Sequence, residues 1–231
     1  MFPTLDYPSP LTDPRAREVL DRLHESRGGG PGGRPGGGPG GGPGGRPGGG
    51  RRGGGAPDPF QRVHQALAIR PEQGDLIYLL CRAIGATRVV DFATSMGVSA
   101  IYFAAAVRDN GGGTVIGAEI VPEKVETARR NLADAGLAAF ADIRLGDARE
   151  TLRDVGGPVD FALIDGFPVG DGPSLARQVM EVLIPQLRPG ALVLNDNAEP
   201  DYLDLVRDPS RGFRSLALPI KGSTELSVKV G

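Results

Sequence analysis

The sequence has little cysteine and histidine and no long apolar run, and each shortage excludes a class of protein. Its one cysteine, Cys81, cannot form an internal disulfide, which fits a reducing compartment. Neither His24 nor His64 has a partner at metal-ligand spacing, so we interpret both as surface or core residues. No segment approaches the ~20 apolar residues of a membrane span, and no basic segment followed by an apolar one marks a signal peptide. We therefore expect a soluble, cytoplasmic protein.

Positive charge is concentrated in one segment of the chain. The formal net charge is −2, but residues 27–55 carry five arginines and no acid, so the remainder has an excess of about seven negative charges. Such an acidic surface argues against nucleic-acid binding by the folded part of the chain.

Residues 27–58 form a Gly/Pro/Arg-rich insertion that cannot bury a core, and we predict that it is a disordered linker. The alternative is an RNA-binding segment, since Arg-Gly-Gly-Gly occurs at Arg27 and Arg52. Against this alternative, no aromatic side chain is interleaved that could stack on bases.

Helix signals flank the insertion. Asp13-Pro14 provides a capping residue and a proline for the first helical position, which predicts a helix to about Ser26. We expect this N-terminal helix, within residues 1–26, to dock on a main domain at 59–231. That domain should open with a short helix at 59–68 and a second one from Pro71 to Gly85.

From residue 88 onwards, apolar strand-like runs alternate with helical patterns, which predicts parallel βαβ units with helices on both faces of a sheet. Two alternating segments around a turn at residues 221–223 predict a terminal hairpin. The predicted strands are 88–92, 114–118, 140–145, 159–164, 190–195, 213–219 and 225–230, and the predicted helices are 98–109, 122–135, 148–154 and 173–187. Pro185 should shorten the last helix.

All five predicted parallel strands end in acidic residues, at the sheet edge where an open α/β sheet binds its ligand. Glu119 after the second strand can accept both hydroxyls of a ribose, and Asp147 can accept from an adenine amino group or cap the next helix. Asp165, Asp196 and Asn197 offer the hard oxygen ligands that Mg²⁺ prefers, although turn and cap roles explain them equally well.

With these residues placed, residues 66–230 resemble the class I S-adenosylmethionine-dependent O-methyltransferases, specifically the cation-dependent group that includes catechol and caffeoyl-CoA O-methyltransferases. The resemblance is carried by the acid-x-Gly-x-x-x-Gly-x-Ser motif, by strand-end motifs after the later strands, and by a bacterial-type helix start. The corresponding residues here are Asp91, Ala93, Gly97 and Ser99, then Glu119 with Pro122, then Gly146-Asp147-Ala148, Asp165, and Asp196-Asn197, with Pro71-Glu72-Gln73-Gly74 upstream. Ala93 departs from the motif glycine.

The resemblance implies a Rossmann-like methyltransferase fold, with a seven-stranded, mostly parallel sheet and an antiparallel C-terminal hairpin. It also implies methyl transfer from S-adenosylmethionine to a hydroxyl of a small molecule, assisted by a divalent cation. Asp165 is then the catalytic residue, and Asp165, Asp196 and Asn197 are the metal ligands. The implied cofactor-binding residues are Asp91, Ala93, Thr94, Ser95, Gly97, Ser99, Glu119, Asp147, Ala148 and Asp165.

Two further departures bear on the reaction. Pro168 stands where family members with a lysine near the metal carry that general base, and Arg214 stands near the position of the acid that binds substrate in catechol methyltransferases. We therefore do not expect catechol as the acceptor. Two alternatives are a nicotinamide dehydrogenase, which lacks its Gly-x-Gly-x-x-Gly turn here, and a catalytically impaired cofactor-binding scaffold. We expect no membrane partner, and whether the chain forms a homodimer stays open.

Overall fold

The computed structural model describes residues 8–28, 68–166, 172–220 and 222–231. Most of the predicted insertion, the helix predicted at 59–68 apart from its last residue, and Pro168 lie outside these ranges. No helix in the described ranges is both long and apolar enough to cross a bilayer.

Helices and strands alternate along the described chain as the apolar pattern predicts. The helices are α1 (Pro14–Gly28), α2 (Pro71–Ala83), α3 (Val98–Asp109), α4 (Pro122–Asp134), α5 (Ala148–Thr151), α6 (Leu175–Leu183) and α7 (Pro200–Arg207). The strands are β1 (Arg88–Phe92), β2 (Thr114–Glu119), β3 (Ala141–Leu145), β4 (Val159–Ile164), β5 (Leu187–Asn195), β6 (Phe213–Leu218) and β7 (Thr224–Lys229).

The strands form one seven-stranded sheet in the order β3-β2-β1-β4-β5-β7-β6. The five strands from β1 to β5 pair in parallel, and β7 pairs antiparallel with both β5 and β6. The strand order reverses between the neighbouring strands β1 and β4, which is where open α/β sheets bind ligands. The predicted mostly parallel sheet with an antiparallel C-terminal hairpin is confirmed.

Element boundaries differ from the predictions near prolines. Pro185 ends α6 early, and a single 3₁₀ turn at residues 184–186 leads into β5, which begins three residues before its predicted start. Helix α7 was not predicted at all, although Pro200 occupies its first turn and Tyr202, Leu205 and Val206 face the core. Its eight residues follow a polar turn, and they are too few for the helical period to be recognised in the sequence.

Helix α3 lies at the centre of one of the two apolar layers. It is rich in alanine and apolar on every side, and it is buried from Val98 to Val107. A helix that is apolar all round must be covered by other elements, and α1 and α2 both pack against it. Val19, Leu20 and Leu23 bury the apolar side of α1 in the same cluster.

Candidate functional site

The loop between β1 and α3, residues 93–97, turns sharply through left-handed backbone conformations. Ala93 has φ 66° and Ser95 has φ 51°, while Gly97, which caps α3, has φ 92°. Left-handed backbone costs a non-glycine residue ~1 to 2 kcal/mol. Ala93 therefore adopts the conformation that the motif glycine would adopt freely, and the turn forms with its Cβ present.

Asp91 lies fully buried beneath this loop. Its Oδ2 accepts a hydrogen bond from the Ser99 hydroxyl at 2.9 Å, whereas its Oδ1 has no partner among the described residues. The nearby Thr94 hydroxyl donates to the Asp91 backbone carbonyl instead. Burial first, and then the neighbouring Glu119 carboxylate, raise the pKa of Asp91 to about 7. A buried carboxylate with an open acceptor position calls for a donor or a cation.

Three hydrogen bonds tie the β1–α3 loop to β2. The backbone N–H groups of Ala93 and Thr94 both donate to the Ala118 carbonyl, at 3.0 and 3.2 Å. The Ser95 N–H donates to Glu119 Oε2 at 2.9 Å. The Ser95 hydroxyl, by contrast, is buried without a partner in the described part of the chain, which makes it a second buried polar atom here whose hydrogen-bonding capacity is unused.

Glu119, predicted to bind a ribose, is held in place by backbone donors. Besides Ser95, the N–H groups of Ile120 and Val121 donate to its Oε1 at 2.9 and 3.0 Å. The residue is 8% exposed and lies at the end of β2, beside the β1–α3 loop. Its carboxylate is thus fixed in orientation and keeps acceptor capacity on Oε2.

Asp147 acts as the N-cap of α5. Its side chain accepts from the Arg149 N–H at 2.8 Å and also pairs with the Arg149 guanidinium. Hydrogen bonds from the Arg149 side chain lower the pKa of Asp147. The structure therefore shows the capping role, while a contact with adenine stays a prediction. Ala148 is buried in the first turn of the same helix.

The structure joins two of the three predicted metal ligands directly. The Asn197 side-chain amide donates to Asp165 Oδ1 at 2.6 Å. Asp196 is buried and accepts hydrogen bonds from Gln73 and from the Thr224 hydroxyl. No group of three His, Cys, Asp or Glu side chains suited to a metal occurs among the described residues. The predicted set has only two carboxylates, completed by the Asn197 amide oxygen, and its hard oxygen chemistry fits Mg²⁺.

Sequence reasoning missed four residues at this edge of the sheet. Gln73 on α2 contacts Asp196 and also accepts from the Arg70 N–H, and its place in the helix start at residues 71–74 was its only sequence signal. Asn131 on α4 donates to the Met96 carbonyl at 2.9 Å, and nothing in its helical pattern indicated that contact. Ile120 and Leu145 are exposed apolar residues at the ends of β2 and β3.

The chain is similar in sequence to known methyltransferases. Residues 90–198 match the family model described as a methyltransferase domain. A catechol O-methyltransferase of Mycobacterium tuberculosis is 37% identical over 100 residues, which cover 43% of this chain and 44% of that protein. A catechol O-methyltransferase of Niastella koreensis is 30% identical over 140 residues, covering 59% and 60% respectively. The chain thus spans about half the length of these curated relatives.

The fold has a counterpart among solved structures. An O-methyltransferase from Bacillus cereus, solved in complex with SAH, superposes with a TM-score of 0.65. The superposition covers 93% of this chain and 91% of that protein, at 17% sequence identity. At this identity the similarity establishes the fold. The predicted resemblance to O-methyltransferases is confirmed by these comparisons together.

Proposed function

Because the chain resembles the S-adenosylmethionine-dependent O-methyltransferases in both sequence and fold, we propose that it transfers a methyl group from S-adenosylmethionine to a hydroxyl of a small molecule. The observation that carries the proposal is the β1–α3 loop. Two buried polar atoms, Asp91 Oδ1 and Ser95 Oγ, lack partners within the described structure, beside the N-terminus of α3. Helix N-termini favour anions, and an open carboxylate oxygen favours a cation.

This pair of features suits the methionine end of the cofactor, which carries a carboxylate and an amino group. We assign the carboxylate to the free N–H groups at the start of α3 and the amino group to Asp91. Ser99 then acts by fixing the Asp91 carboxylate through its hydroxyl. Glu119 would accept the ribose hydroxyls, and the exposed Ile120 would cover the adenine ring.

S-adenosylmethionine, when bound, supplies an electrophilic methyl group on its sulfonium. The residues of this chain then have to hold the acceptor oxygen in line and take its proton. Positioning of this kind is worth ~7 to 11 kcal/mol. We assign the proton to Asp165, whose carboxylate is oriented by the Asn197 amide.

A divalent cation is the second part of the proposal. Asp165, Asp196 and Asn197 would hold it through two carboxylates and one amide oxygen, with water or acceptor oxygens completing the shell. When bound, the cation would lower the pKa of the acceptor hydroxyl. Asp196 is already oriented for such a role by Gln73 and Thr224.

Transfer of labelled methyl from S-adenosylmethionine to a panel of phenols, catechol included, tests the proposal. We expect transfer to at least one acceptor, with the rate lowered about 100-fold by a chelator and restored by Mg²⁺. Asp196→Asn should reproduce the chelator effect. A turnover rate that neither the chelator nor Asp196→Asn changes would remove the cation from the proposal. Cofactor binding without turnover on any acceptor would favour the scaffold alternative.

A further inference from the structure

The β1–α3 loop needs support from outside itself. Ala93 and Ser95 both hold positive φ values, of 66° and 51°. Each such residue persists only where its surroundings impose the conformation. Strand β2 provides part of that support through Ala118 and Glu119. A further contact comes from α4, at Met96.

Asn131 on α4 makes that contact. It is 5% exposed, and its Nδ2 donates to the Met96 carbonyl at 2.9 Å. Its Oδ1 accepts from Arg22 Nη2 of α1 at 3.2 Å. The orientation of the amide is fixed by chemistry, because a backbone carbonyl can only accept and a guanidinium can only donate. Asn131 therefore links α1 to the loop, with its amide oxygen facing Arg22 and its amide nitrogen facing the Met96 carbonyl.

Helix α1 is itself clamped to the C-terminal half of α4. Arg22 pairs with the Asp134 carboxylate at 3.0 Å, and Arg15 donates to the Asp134 backbone carbonyl at 3.0 Å. The buried Leu20 and Leu23 anchor the helix in the core. The position of Arg22, and hence its bond to Asn131, follows from the docking of α1.

We propose that Asn131 is a positioning residue for the β1–α3 loop and that it couples the docking of α1 to cofactor affinity. The inference rests on the proposed function, in which this loop holds the methionine end of the cofactor. Without the Asn131 bond, the loop spends less time in the binding-competent conformation. The apparent dissociation constant then rises in inverse proportion to that population.

Asn131→Asp isolates the contact. Aspartate keeps an acceptor for Arg22 but replaces the donor facing Met96 by an oxygen that repels the carbonyl. We expect the Kd for S-adenosylhomocysteine, measured by titration calorimetry, to rise about three- to tenfold. Arg22→Met should raise it about twofold, because the Met96 bond is retained and only its support from α1 is lost.

Asn110→Asp is a matched control. The Asn110 amide donates to the carbonyls of Cys81 and Ala86, at 3.1 and 2.8 Å, at the opposite end of α3. The same chemical change there should lower the melting temperature without changing the Kd. An Asn131→Asp variant that binds S-adenosylhomocysteine as tightly as wild type would overturn the proposal, as would an equal loss of affinity in Asn110→Asp.

Amide hydrogen exchange of the ligand-free protein separates this inference from the proposed function. Asn131→Asp should speed exchange at Ser95 and Gly97, and Asn110→Asp should not. If wild type fails to bind S-adenosylhomocysteine, the proposed function fails, while the exchange rates still decide whether Asn131 holds the loop. Unchanged exchange in Asn131→Asp would contradict the positioning role.

Discussion

Asp91→Asn should weaken cofactor binding and at the same time stabilise the ligand-free protein. Burial raises the pKa of Asp91 from its ordinary value of 3.8 to about 7. At ~1.4 kcal/mol per pKa unit, ionising this carboxyl in the folded protein costs about 4 kcal/mol relative to the unfolded chain. Because the folded state binds the proton more tightly, stability is greatest below the ordinary pKa and falls as the pH rises towards 7.

Asparagine cannot ionise, so the variant escapes this cost. We expect its ligand-free form to melt at a higher temperature than wild type near pH 8, with up to ~4 kcal/mol of added stability. Wild type should lose stability between about pH 4 and pH 7 through this group, and the variant should not. Differential scanning calorimetry across this range measures both effects.

The affinity for the cofactor should change in the opposite direction to the stability. The cofactor's amino group is a cation and favours ionised Asp91, which at a pKa of about 7 is mostly protonated near pH 6. The Kd of wild type for S-adenosylhomocysteine should therefore be about tenfold higher near pH 6 than near pH 8. Asp91→Asn should bind more weakly near pH 8 and lose this dependence. A pH-independent Kd in wild type, or unchanged affinity in the variant, would refute the role assigned to Asp91.

Substitutions at three further positions test the fold and the turn at Ala93. Asp160→Asn should cost ~2 to 3 kcal/mol in urea unfolding and leave the Kd for S-adenosylhomocysteine unchanged, because this carboxylate accepts from Arg188 and the Thr87 N–H, remote from the site. Ala93→Gly should bind S-adenosylhomocysteine with a Kd within about threefold of the wild-type value. Ala93→Val should lose ~1 to 3 kcal/mol of unfolding free energy, because valine is strained at the positive φ of this position. Equal stability of the two variants would contradict the left-handed turn. Gly74→Ala should lower the free energy of unfolding by ~1 to 3 kcal/mol, since the added Cβ would lie 2.2 Å from the Tyr102 ring. A lower melting temperature than that of wild type would show this loss.

The sequence was sufficient to predict the layers of the fold and the acidic edge of the sheet. Apolar runs that alternate with helical patterns predict parallel strands, and parallel strands bring Asp91, Glu119 and Asp165 to one edge by geometry alone. The hairpin followed from its turn residues. These predictions rest on periodicity and on topology, which are properties of local sequence.

The contacts that hold the site together were not predictable in the same way. Asn131 is one polar residue on an amphipathic helix, and only the packing of α4 against the loop brings it to Met96. Apart from Gly97, the β1–α3 loop has no glycine that would indicate left-handed backbone at Ala93 and Ser95. Gln73 reaches Asp196 across 123 residues of sequence. Such contacts depend on how elements pack, which a single sequence does not encode locally.

The cofactor site at the β1–α3 loop is the central claim, and titration of the wild-type protein with S-adenosylmethionine tests it most directly. Calorimetry near pH 8 should show saturable binding of one cofactor molecule per chain, displaced by S-adenosylhomocysteine. Glu119→Gln should weaken that binding, because it removes the charge that accepts the Ser95 N–H and that we propose accepts the ribose hydroxyls. Wild-type protein that is folded by circular dichroism yet shows no saturable binding would contradict the account.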